Sequence, residues 1–122
     1  MSRDESVFAH IRARRATFRT DDYLLEARWW KEPVEPKLLR DFEGKIRAKA
    51  QNVLGLLISI NGFSEGARSK SADQTPLILM DGTDLLAVLE SRIELPELLE
   101  RKWRHAAQTG SPWLPVSHIL SD

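Results

Sequence analysis

The sequence predicts an α/β fold, a short mixed β-sheet flanked by helices. Two nearly continuous apolar runs, residues 53–60 (Val-Leu-Gly-Leu-Leu-Ile-Ser-Ile) and 76–80, have the pattern of strands buried on both faces. Between residues 36 and 51, Leu38, Leu39, Phe42, Ile46 and Ala50 recur at spacings of three and four, which is the stripe of an amphipathic helix. Helical stretches also separate the apolar runs from one another, and crossovers of that kind make the central strands parallel.

The remaining elements follow in order. Residues 7–12 and 16–19 alternate weakly and read as the two strands of a hairpin. Thr20-Asp21-Asp22 reads as a turn leading into a strand over residues 23–30. Pro33 and Pro36 make 31–36 a loop, and Pro36 suits the first turn of the helix that follows. On that helix Lys37, Asp41, Lys45 and Lys49 share one face at steps of four, and Glu43 and Arg47 read as a solvated pair. Asn61-Gly62 ends the first apolar strand, and Ser64 caps a short helix over 65–70. Asp81-Gly82 closes the next strand, after which Thr83 or Asp84 caps a helix carrying Leu85, Leu86, Val88 and Leu89. A last helix starts at Pro96, carries Leu98, Leu99, Trp103 and Ala106, and is stopped by Gly110. Residues 1–110 are thus expected to form one domain, with 111–122 a tail packing on it through Trp113 and its other apolar side chains.

Charge and composition narrow the function. Eighteen Lys and Arg balance eighteen Asp and Glu, so no bulk field draws the chain to a polyanion or a membrane. Nucleic-acid binding would need a local basic patch, and Arg12, Arg14, Arg15 and Arg19 supply one. The absence of cysteine excludes disulfides and thiolate metal sites. No apolar run reaches the length of a membrane span and the N-terminus has no apolar leader, so a cytoplasmic protein without membrane partners is expected. His10, His105 and His118 lack metal-ligand spacing. Ser64 sits in Gly-Phe-Ser-Glu-Gly, which is not a nucleophile elbow.

The most informative stretch is residues 22–30, Asp-Tyr-Leu-Leu-Glu-Ala-Arg-Trp-Trp. Side chains alternate along a strand, so Glu26 and Arg28 project from the same face. A carboxylate and a guanidinium on an apolar strand are costly to desolvate unless they pair or line a cleft. Such a pair suits a site that positions an anion or a metal ion. Trp29 and Trp30 follow on opposite faces, so one can enter the core while the other stays near the cleft.

Over residues 23–89 the chain resembles the Mrr-type branch of the restriction-endonuclease-like, PD-(D/E)xK nucleases. The likeness rests on Leu-Leu-Glu-Ala-Arg-Trp, on Glu32-Pro33-Val34 and the helix with Phe42 and Lys45, on the Gly62-Phe63-Ser64 turn, and on Asp81-Gly82-Thr83-Asp84-Leu85. It implies a restriction-endonuclease-like core acting on DNA. Glu26 would be a ligand of Mg2+, Ala27 would lend its backbone carbonyl, and Arg28 would stand where the family has a catalytic lysine. Lys45 would contact a phosphate. Two departures accompany the likeness. Where the family places an upstream aspartate, this chain reads Ile-Arg-Ala-Arg-Arg over 11–15, so a second carboxylate would come from Glu5, Asp21, Asp22 or another subunit. Arginine, moreover, binds phosphate but does not readily act as a base. Two functions follow as expectations. One is a metal-dependent phosphodiesterase, weak or inactive alone, working as a homodimer or with a partner chain that supplies missing elements. The alternative is a non-catalytic nucleic-acid-binding or protein-interaction module that keeps the fold.

Overall fold

A computed structural model describes residues 6–14, 20–49, 53–70 and 75–121. Four strands, β1 (Ser6–Arg14), β2 (Thr20–Arg28), β3 (Val53–Ser59) and β4 (Leu77–Asp81), form one sheet in the order β1-β2-β3-β4. The β1-β2 pair is antiparallel and the other two pairs are parallel. Five helices complete the chain: α1 (Pro36–Arg47), α2 (Glu65–Arg68), α3 (Gly82–Leu89), α4 (Leu95–Thr109) and α5 (Val116–Leu120). The expected mixed sheet flanked by helices is therefore present.

The first hairpin is drawn differently from its sequence. Thr20, Asp21 and Asp22 are not a turn: they open β2, and Asp22 stands in register between Arg12 of β1 and Val53 of β3. Pairing along both edges outweighs the poor strand preference of aspartate. The segment 16–19, read as a strand, lies outside the described residues. At the other end β2 stops at Arg28, so Trp29 and Trp30 leave the ladder.

Alternation along the strands separates two cores. Tyr23, Leu54, Leu56, Ile78 and Met80 face one side and pack with Ala87, Leu98, Leu99, Val116 and Ile119 of α3, α4 and α5. Leu57, Leu77 and Leu79 face the other and pack with Leu39, Phe42 and Ile46 of α1 and Ala67 of α2. Close approach of α1 depends on Gly55, where a Cβ would lie 2.8 Å from Ile46 Cγ1 and 3.1 Å from Phe42 Cε2.

Helix ends follow the sequence with one change. Ser64 caps α2 by accepting from Ala67 N, and Gly110 stops α4 with a φ of 79°. The cap of α3 is Asp81 rather than Thr83 or Asp84: its carboxylate accepts from the amides of Thr83 and Asp84, while Asp84 accepts from the Asp81 amide, a reciprocal capping box. Helix α3 ends on Ser91, a non-glycine residue with φ of 60°, where Ser91 N donates to Val88 O and Arg92 N to Ala87 O. The segments after β2 and β3 are joined: Val34 N donates to Gly62 O and Ser64 N to Val34 O, both at 2.9 Å. In the tail, α5 is a helix that the sequence pattern does not announce, and its Val116 and Ile119 are buried. Among the described residues no helix is long and apolar enough to cross a membrane.

Candidate nucleic-acid site

Glu26 sits on β2 with Leu24 and Arg28 on the α1 side of the sheet, in register with Leu57 of β3. Its side chain is wholly buried. A carboxylate held there needs partners, and it has two. Arg28, two residues along the strand, donates to Oε2, and Lys45 Nζ reaches across from α1 to 3.5 Å from Oε1. The strand period brings Arg28 over Glu26, and Lys45, exposed near the end of α1, reaches the same carboxylate from the helix side. Lys37 and Asp41 pair with each other at the surface instead.

Exposure rises away from the carboxylate. The Arg28 side chain is 15% exposed and that of Lys45 45%. Arg28 also lies over the ring of Trp30, 4.2 Å from its centre, a cation–π contact. Trp30 is half-buried against the α1 core and Trp29 is exposed, so one indole both packs on the core and borders Arg28, instead of the two dividing those places. Arg28 is in register with Ser59, and Ser59 with Asp81, which lines up the last residues of three parallel strands at one rim. Ser59 Oγ donates to Gly62 O, and the Asp81 carboxylate is occupied in capping α3. A depression of about 420 Å³ near this rim is lined by Asn61, Phe63, Arg68, Asp81 and Trp113 rather than by the Glu26 group.

The other expected site residues are placed as follows. Arg12 and Arg14 are in β1, opposite Asp22 and Thr20. Arg15, Arg19 and Glu5 lie outside the described residues. Asp22 shares the Glu26 face but is four residues away, roughly 13 Å along an extended strand, too far to share an ion with it. Asp21 is in β2, in register with Ala13 of β1. Ala27 contributes a carbonyl in the plane of the sheet between β1 and β3. Magnesium requires near-octahedral oxygen coordination. Around Glu26 both carboxylate oxygens already face cations, and among the described residues no group of three Asp, Glu or His side chains could hold a metal. This donor set does not fit the ion.

Two ion pairs with buried members escaped the sequence reading. Glu43 is not a solvated partner of Arg47 but is buried, pairing with Lys70 at 2.8 Å, while Arg47 donates to Thr75. Asp84 and Lys102 form a second pair at 3.1 Å, and Lys102 Nζ also donates to the carbonyls of Leu79 and Leu114. Burial pushes the Asp84 carboxyl up to about 6, against the pull of Lys102, and burial likewise holds the Lys102 ammonium below its ordinary range. The available signal was periodicity: Glu43 lies within the Leu39-Phe42-Ile46 stripe, and Lys102 falls three and four residues after Leu99 and Leu98.

No curated protein and no solved structure matches the chain. A family model described as Restriction endonuclease, of the Mrr catalytic type, matches residues 2–89, which spans β1 through α3 and includes Glu26, Arg28 and Lys45. With that match covering most of its length and the mixed sheet in place, the chain belongs to the Mrr-type restriction-endonuclease family, a family of nuclease domains that act on DNA.

Proposed function

We propose that this chain engages DNA through backbone phosphate at the family's motif site, with Arg28 and Lys45 as the contacts and Glu26 as the buried anion that orients them. The observation carrying this reading is the sharing of Glu26. One oxygen takes a cation from β2 and the other a cation from α1, while both cations keep part of their surface in water. A guanidinium held over an indole, with its remaining donors turned to water, suits the oxygens of a phosphate. Arg12, Arg14, Arg15 and Arg19 would be further phosphate contacts in this reading.

Titrating duplex DNA binding against salt tests the proposal. Binding should persist in chelator, and Arg28→Ala and Lys45→Ala should each flatten the dependence of log affinity on log salt by about one unit. Binding that vanishes on chelation, or slopes unchanged in both variants, would reject it.

Family membership favours a second reading, metal-dependent phosphodiester cleavage with Glu26 as the ligand and Ala27 lending its carbonyl. Another subunit, from a homodimer or a partner chain, would have to bring the second carboxylate. Plasmid nicking with magnesium or manganese decides it: equal activity in wild type and Glu26→Ala removes this reading.

A further inference from the structure

The outer face of α3 carries leucines left to solvent. Leu86 is 52% exposed and Leu89 80%. Three residues apart, they lie on neighbouring positions of one helix face. Beside them a groove of about 310 Å³ runs between α3 and α5, lined by Leu86, Ala87, Val116 and Leu120 with three Ser and Thr residues among them, and edged by Glu90 and Arg92. An apolar cavity of about 150 Å³ accommodates benzene, so this groove has room for a leucine side chain. Glu90 and Arg92 are both exposed, and among the described residues neither forms an ion pair.

We propose that this face is a twofold interface between two copies of the chain, in which Leu89 of each copy enters the groove of the other and Glu90 of each faces Arg92 of the other. A contiguous apolar patch rimmed by charge marks an interaction surface, whereas single exposed leucines do not. Its rim carries one charge of each sign. Under a twofold axis, a contact from position 90 to position 92 is automatically returned from 92 to 90, so a second copy neutralises both charges at once. A uniformly acidic or basic partner would meet repulsion at one of them. The inference stands apart from the DNA reading, because α3 packs on the opposite side of the sheet from α1 and leaves the Glu26 group uncovered.

Sedimentation equilibrium of the full chain over a range of concentrations provides the test. The wild type should dimerise reversibly, and Leu89→Lys should raise the dissociation constant roughly ten- to a hundredfold. Glu90→Arg and Arg92→Glu should each weaken the dimer, and the double swap should restore it. The exposure of these positions leaves folding intact, which circular dichroism checks. A wild type monomeric at every concentration would hand the face to a different partner and overturn the proposal. So would a dimer indifferent to Leu89→Lys, or a double swap that fails to recover association.

Discussion

Lys102 and Asp84 meet 3.1 Å apart where their side chains have almost no contact with water. The same ammonium donates to Leu79 O at 3.0 Å and Leu114 O at 2.7 Å, so one cation joins β4, the start of α3 and the segment before α5. Removing one member of a buried pair strands the other, and the cost is about 3–5 kcal/mol. Lys102→Met should lose stability of that order in urea unfolding. Asp84→Asn combined with Lys102→Met should be more stable than Lys102→Met alone, because the carboxylate is neutralised while an amide oxygen can still accept from the Asp81 amide. A double variant no better than the single one would contradict this account.

Acid should act on the same pair in an unusual direction. The Asp84 carboxyl titrates near 6 in the folded chain against an ordinary 3.8, chiefly because it is buried. The folded state therefore binds this proton more tightly than the unfolded chain. The Asp84 contribution to stability is absent above pH 6, grows as pH falls through the folded value, and is complete below the unfolded one. Comparing the unfolding free energy of wild type and Asp84→Asn across this window isolates it: the wild type should gain on the variant as the solution is acidified.

Ser91 occupies a backbone position suited to glycine, with φ of 60°. An L-residue there carries roughly 1–2 kcal/mol of strain, and the hydrogen bonds of the helix end come from the backbone alone. Ser91→Gly should raise the thermal midpoint, with a gain of about 1 kcal/mol after the added freedom of the unfolded chain is counted.

Gly55 sets the separation of α1 from the sheet. A methyl there collides with Ile46 Cδ1 and lies 2.8 Å from Cγ1, so Gly55→Ala should cost roughly 1–3 kcal/mol. Ile46→Val removes the colliding Cδ1, and adding it to Gly55→Ala should recover part of the loss in denaturant unfolding.

Much of this architecture was legible because hydrophobic periodicity reports burial directly. Val53–Ser59 and Leu77–Asp81 are buried almost throughout, and the stripe through Leu39, Phe42 and Ile46 faces the sheet as its spacing requires. The period of two likewise placed Glu26 beside Arg28. Local signals misled where long-range pairing decided the outcome. Asp21 and Asp22 resemble a turn until β1 pairs with both and β3 with Asp22, and α5, at five residues, is too short to show a helical period. Glu43 and Lys102 were opaque for the same reason: Glu43 finds its counter-charge 27 residues away, and Lys102 finds its own in a different helix, so neither pairing leaves a mark in adjacent sequence.

The bridge from Val34 to Phe63 has a further bearing on recognition. With Asn61 also donating to the Trp30 carbonyl, the two connections bordering the strand ends hold each other in place before any ligand arrives. If DNA docks here as proposed, a duplex would meet connections already joined to each other, and little conformational entropy would be surrendered. Calorimetry of the encounter should then register only the heat-capacity change of the surface covered, without the larger signature of a segment folding as it binds.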